Sequence, residues 1–464
     1  MLRIIRYSIF ISIVVIYFAF CFYILKEYEL KYFIALSLGT LITIFSFLKP
    51  DWMLFLCIGS IPFYQLVKIE IGIPTFTIYD TIVMLLFLVF LIQWTLGRTK
   101  FKFTYFDFFV FVWIGINLIS LFHNLYNPIA SINDFRYRFA VPIALYFLIR
   151  YYVRDLRTFY TFLYIQVLSI STLAFFAIIE FATTGMRVET LIHRTLTAGL
   201  LFCWAIFLCM FIQKSKNSKI TKIISISGLL INIPALFFTF ARIIFASLIF
   251  LIGLVKCGIL KVKKEIFVIT FFIFGALFPF LTINIYENYL SKLETPKVYH
   301  QEIFPNYAKK NNQPIDKTPK RIVDKDFYKK SIEGRAMNWK VMLEIFKGNF
   351  LFGAGFSIFS YLREQGLITI FHAHNICLDI VLRTGIVGLS IFCLLILSYI
   401  RFWENVYKNL AGHDRFFLGI CLLEIVLILI NGLTNNIMGI LINSIFWSVI
   451  SLSFCFIELK NKNA

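Results

Sequence analysis

The feature that most constrains this chain is a succession of apolar stretches, each long enough to cross a bilayer, separated by short charged tracts. A helix needs roughly 17 to 25 predominantly apolar residues to span the hydrocarbon core. By that measure candidate helices fall near 7–25, 32–48, 52–67, 78–96, 106–122, 139–153, 158–182, 195–213, 222–240, 243–260, 265–284, 373–400, 416–436 and 439–457. The sequence therefore predicts an all-α, polytopic integral membrane protein with about 12 to 14 transmembrane helices. Composition points the same way: of 464 residues, 60% are apolar and 15% charged, whereas soluble domains carry about 25% charged residues. One water-soluble core could not hide that much apolar surface. Two candidate spans carry interruptions: Pro142 lies inside 139–153, and Asp379 and Arg383 lie inside 373–400.

Arg3 and Arg6 precede the first stretch, which lacks a small-x-small cleavage signature and reads as a retained first helix. The 45 Lys and Arg against 25 Asp and Glu give a net charge of +20. In a soluble protein such an excess would suggest nucleic acid. Here the basic residues concentrate in the tracts 98–102, 150–157, 214–222, 256–264 and 401–415, each between two spans. Short cytoplasmic loops have that bias, so no nucleic-acid partner is expected. With a cytoplasmic N-terminus, alternation sends all of these tracts inside. It leaves Arg136, Arg138, Arg187, Arg194, Arg242 and the stretch 285–370 on the outer face. The expected organisation is membrane helices over 1–284, one large extracytoplasmic loop over 285–371 and C-terminal membrane helices over 372–464. That loop is too long for a connector. Its first half reads as irregular, Ala336 to Phe346 has helical spacing, and Gly348 to Phe356 is a glycine turn. The nine cysteines include no CxxC pair and read as small apolar packing residues.

Three constellations could carry chemistry. Arg242 lies between two apolar helices, where an arginine is costly unless it snorkels to the interface or is paired. Its planar fork suits phosphate or carboxylate. Arg335 precedes Trp339 at the start of the amphipathic part of the loop, a pattern equally compatible with a solvated arginine beside a buried tryptophan. His372, His374 and Asn375 mark the return of the loop to the membrane. A histidine there can serve as a general base near neutral pH, or make a single backbone hydrogen bond. A metal site at the two histidines lacks further ligands. The Asp324-Lys325-Asp326 spacing lies in a Lys-rich run and reads as solvated charge. No Gly-Lys-Ser/Thr ending makes the glycine turn a P-loop, and no G-x-S-x-G elbow is present.

Taken in order, Thr239 to Arg242, two spans, the loop with Arg335 and Trp339, Gly353 and Gly355, His374 with Asn375, and the run Gly385 to Leu389 resemble the O-antigen ligase and O-antigen polymerase superfamily of bacterial membrane glycosyltransferases. Two positions depart from that family's pattern. Ala241 replaces the usual serine, and Arg383 stands where many members have glutamate.

The resemblance implies a GT-C-like fold in the bacterial inner membrane. It also implies an oligosaccharide donor linked to undecaprenyl diphosphate and a glycan or lipid-core acceptor at the outer face. His374, Arg242 and Arg335 would be catalytic: the histidine would deprotonate or orient the acceptor hydroxyl, and the arginines would stabilise the departing diphosphate. Asn375, Trp339, Arg194, Arg136 and Arg138 are assigned to substrate binding, with no metal or cofactor expected. A lipid-linked glycan flippase or other polytopic transporter is the alternative, and such proteins more often show two matching halves, which this sequence lacks.

Overall fold

The computed structural model describes residues 44–64, 68–70, 75–96, 103–123, 127–185, 195–215, 219–239, 244, 338–368, 372–433 and 439–463. The expected helices 7–25, 243–260 and 265–284, most of 32–48, and the first part of the outer loop lie outside the described residues.

In chain order the helices are α1 (Pro50–Ser60), α2 (Ile78–Thr95), α3 (Tyr105–Phe122), α4 (Pro128–Phe135), α5 (Val141–Tyr152), α6 (Leu156–Thr184), α7 (Thr195–Lys214), α8 (Lys219–Phe238), α9 (338–348), α10 (Ile358–Glu364), α11 (Ile376–Tyr407), α12 (Gly412–Gly432) and α13 (Ile440–Asn463). Among the described residues, eight helices are long and apolar enough to cross a membrane: α2, α3, α6, α7, α8, α11, α12 and α13. Local rules start several of them. Thr77 and Thr104 each form a capping box with an aspartate three residues on, Asp80 and Asp107, at the heads of α2 and α3. Asp155 caps α6, which ends on Gly185 at φ 64°. Large apolar side chains such as Phe108, Phe111, Ile119 and Phe122 of α3 point outward, as a lipid-facing surface requires.

Two expected spans come out differently. The segment 52–67 is not one helix: α1 stops at Ser60, a 3₁₀ turn follows over Ile61–Phe63, and an antiparallel hairpin pairs β1 (Lys68–Glu70) with β2 (Thr75–Thr77). Pro62 sits in that turn, and Lys68, Ile69 and Glu70 alternate with the period of a strand. The segment 139–153 is helical but short. A π-helical turn over Arg136–Ala140 joins α4 to α5, and Pro142 falls in the first turn of α5, where a missing N–H is harmless. Every residue of α5 is buried. It is an interior helix, so its length answers to its protein neighbours and not to the lipid.

The centre of the bundle is α13, buried along its whole apolar length. Small hydroxyl side chains fasten it to its neighbours. Ser444 accepts from the Tyr79 hydroxyl at 2.7 Å, Ser451 donates to the Tyr146 carbonyl at 3.2 Å, and Ser453 pairs with the Tyr399 hydroxyl at 2.9 Å. Interhelical hydrogen bonds of this kind hold helices together where lipid removes the hydrophobic drive.

Two buried polar clusters mark opposite ends of the bundle. At one end Arg150, at the foot of α5, meets Asp107 of α3 and Glu458 of α13, each at 2.6 Å, while the Tyr146 hydroxyl donates to Asp107 at 2.7 Å. The heads of α2, α11 and α13 and the π-helix gather at the other end, through Asp80, Asp379, Asn443, Arg136 and Arg138. The start of α3 therefore lies level with the ends of α5 and α13, as alternating antiparallel helices demand. The chain is a multi-pass membrane protein.

Candidate functional site

The second cluster is built on a broken helix. α11 is two helical pieces meeting at Gly385, whose φ of 70° and ψ of −171° lie outside helical space. A break at membrane depth exposes backbone groups that must find partners within the protein. The glycine turn supplies them. The N–H groups of Ala354 and Gly355 donate to the carbonyls of Leu382 and Arg383 at 2.6 and 3.2 Å, and the Ser120 hydroxyl also donates to the Arg383 carbonyl, at 2.5 Å. In return, Ile386 and Val387 donate to the carbonyls of Phe350 and Leu351 at 2.9 and 3.3 Å. The turn thus acts as a strap across the break. Beside it, α9 and α10 close a small apolar core on the first piece of α11, through Trp339, Met342, Ile358, Phe359, Leu378 and Leu382.

The strap and its core position the histidine loop. His374 adopts the left-handed conformation, φ 54°, and is the one non-glycine residue among those described that does so. For a residue with a Cβ that conformation costs about 1 to 2 kcal/mol, so it persists where neighbours enforce it. They do so on both sides. The Trp339 indole donates to the Ala373 carbonyl at 2.5 Å, and the Ala373 N–H donates to Asp379 at 3.5 Å. Asn375 caps α11 by accepting from the Leu378 N–H at 2.9 Å, and its amide donates to the Leu433 carbonyl of α12 at 3.0 Å. His372 is buried and its ring lies 4.2 Å from that of His374, centroid to centroid, whereas His374 keeps part of its surface open.

Beneath the loop, four charged side chains close a ring. Arg138 Nε meets Asp134 Oδ1 at 2.5 Å, and Asp134 Oδ2 meets Arg383 Nη1. Arg383 Nε meets Asp379 Oδ2 at 3.1 Å, and Asp379 Oδ2 faces Arg138 Nη1 at 3.7 Å. Arg383 also donates to the Phe356 carbonyl at 2.8 Å and lies over the Phe359 ring. Arg136, on the π-helix with Arg138, faces Asp80 at 3.9 Å. Single π turns are frequent at functional sites, and this one presents two arginines next to the histidine loop.

Of the residues the sequence singles out, the structure brings together His374, Asn375, Trp339 and Arg138, while Arg136, on the same π turn as Arg138, faces Asp80. Arg242, Arg335 and Arg194 lie outside the described residues. The polar groups of Asn375 and Trp339 are engaged in holding the loop. Sequence reasoning missed Asp80, Asp134 and Asp379 as members of the site and took Asp379 and Arg383 as interruptions of a span. Their four-residue spacing, an acid–base pair on one helix face, was the available signal.

Residues 227–393 match the family model described as O-Antigen ligase, which supports the O-antigen ligase and polymerase superfamily that the motif order implied. The matched segment contains the end of α8, the strap, the histidine loop and the broken part of α11. A comparison with curated proteins returned no significant match. The matched family supports membrane glycosyl transfer of the O-antigen ligase type, acting on a lipid-linked glycan and an acceptor.

Proposed function

We propose that this protein transfers or polymerises an undecaprenyl-diphosphate-linked glycan onto an acceptor sugar hydroxyl at the outer face of the bacterial inner membrane. The observation that carries this reading is the enforced backbone of His374: a partly open imidazole held in a strained conformation by bonds on both flanks, within the family-matched segment. Strain of that kind is found where a side chain must stand in one place for chemistry.

In this reading His374 takes the proton of the acceptor hydroxyl as that oxygen attacks the anomeric carbon, and the bond from that carbon to the diphosphate breaks. Arg242 and Arg335 stabilise the negative charge left on the departing diphosphate, where preorganised charge has its largest effect. Arg138, Arg136 and Arg194 attract the anionic donor. Trp339 and Asn375 serve the substrates by fixing where His374 stands. In this reading guanidinium groups take the place of a Lewis acid, and no metal is needed for the departing diphosphate. In this reading, too, residues 285–371 are extracytoplasmic, between the membrane helices of 1–284 and 372–464.

The test reconstitutes the purified protein in vesicles with an undecaprenyl-diphosphate-linked oligosaccharide and a candidate acceptor glycan. Release of undecaprenyl diphosphate with extension of the acceptor supports the proposal. Movement of the intact lipid-linked glycan between leaflets without release supports the transporter reading instead.

A further inference from the structure

The ring beneath the histidine loop contains a carboxylate, Asp379, that reaches both the ring and the loop. We propose that Asp379 is a positioning residue for His374: it locks the left-handed histidine loop to Arg138 of the π-helix. The inference rests on the reading of His374 as the group that activates the acceptor.

Three observations carry it. First, the two oxygens of Asp379 face different ways. Oδ1 accepts from the Ala373 N–H at 3.5 Å, one residue before His374, while Oδ2 meets Arg383 at 3.1 Å and faces Arg138 at 3.7 Å. Second, Asp379 and Arg383 are buried, so each charge depends on the partners that the ring gives it, Arg383 and Arg138 for Asp379 and Asp379 and Asp134 for Arg383. Third, Asp134 closes the ring from the opposite side, joining Arg138 to Arg383. Two positive and two negative groups alternate, and a change at one corner is felt at the others. The ring spans α4, the π-helix and α11, so it couples Arg138 to the loop that holds His374. Arg383, which departs from the family's glutamate, is the member that carries this coupling: it bonds both aspartates and the Phe356 carbonyl of the strap.

A residue that only stabilised the fold would alter abundance and unfolding temperature, whereas a positioning residue also alters the exposure of His374 and the turnover step. Wild type, Asp379→Asn, Asp379→Glu and Asp134→Asn are purified, and two quantities are measured on each. One is the rate at which diethyl pyrocarbonate modifies His374, mapped by mass spectrometry with His372 as the internal reference. The other is kcat and KM for glycan transfer.

Asp379→Asn is expected to raise the His374 modification rate about threefold or more and to lower kcat at least about tenfold, with KM for the donor within about twofold of wild type. Asp379→Glu, which keeps the charge, recovers part of kcat. Asp134→Asn, at the more open corner, gives the same signature with smaller amplitude and decides the matter if Asp379→Asn does not accumulate. Unchanged His374 modification, or unchanged kcat, in the decisive variant overturns the proposal. If the wild type transfers no glycan, the functional reading falls, and the modification rates alone still judge whether Asp379 holds the loop.

Discussion

Gly353 and Gly385 meet backbone to backbone: a Cβ added to Gly353 would stand 2.6 Å from the Gly385 nitrogen and 2.4 Å from the Arg383 carbonyl carbon. A Cβ on Gly385 would stand 2.0 Å from the Leu351 carbonyl oxygen. Both glycines also have positive φ, 72° and 70°. The strap can therefore cross the broken helix only where neither chain carries a side chain.

Gly353→Ala and Gly385→Ala should each push the strap off the break. A positive-φ backbone alone costs an alanine about 1 to 3 kcal/mol, and the overlap adds to it. Gly366, at φ 69° with open space around it, isolates the backbone contribution. Thermal unfolding in detergent should show a small loss for Gly366→Ala and a clearly larger one for the other two variants. Equal losses for all three would mean that the strap does not depend on the close approach.

The opposite end of the bundle allows a double-mutant test. Asp107 and Arg150 are fully or nearly buried and lie 2.6 Å apart. Removing one partner strands the other, at a cost of about 3 to 5 kcal/mol, whereas replacing both with apolar side chains of similar volume is much milder. Asp107→Leu and Arg150→Met should each lower the unfolding temperature strongly, and the double variant should lose clearly less than the sum, what remains reflecting the α3 cap and the Glu458 pair. Additive losses would show that the pair does not act as a unit.

Topology is open to direct measurement. Reporters fused at Asn217 and Asn405 should be cytoplasmic, and those at Met186 and Asn311 extracytoplasmic. A cytoplasmic Asn311 would place the loop on the wrong side for a lipid-linked donor at the outer face.

The arginines are tested by a substitution that keeps charge and removes the bidentate fork. Arg242→Lys, Arg335→Lys and Arg138→Lys should insert normally and lose transfer by about 10², measured as released undecaprenyl diphosphate. A variant that transfers at the wild-type rate takes its arginine out of the site.

The sequence carried the spans and the histidine loop plainly because both depend on local information. Apolar runs of spanning length need no partner to be recognised, and the spacing of Gly353, Gly355, His374 and Asn375 is contiguous in the chain. The interior helix α5 was harder, since its brevity and Arg150 make sense only once Asp107 and Glu458 are seen around it. The hairpin after α1 falls between two expected spans, 52–67 and 78–96, where a strand period of three residues a side gives little signal. The charged ring was illegible for a different reason. Arg138 with Asp134 and Arg383 with Asp379 are each i,i+4 pairs, but the bond that joins them links Asp134 to Arg383 across 249 residues. Only folding reveals that the two charges interrupting the span 373–400, Asp379 and Arg383, are matched by Arg138 and Asp134.

The central claim is that His374 performs the proton step of glycosyl transfer, and one comparison tests it most directly. His374→Ala and His372→Ala are purified and given an undecaprenyl-diphosphate-linked glycan, an acceptor and chelator, and released undecaprenyl diphosphate is measured. A general base contributes about 10² to 10⁴ in rate, so His374→Ala should bind the donor normally and release almost nothing, while His372→Ala, altered at the buried neighbour, stays much closer to wild type. Transfer by His374→Ala at the wild-type rate would contradict the claim.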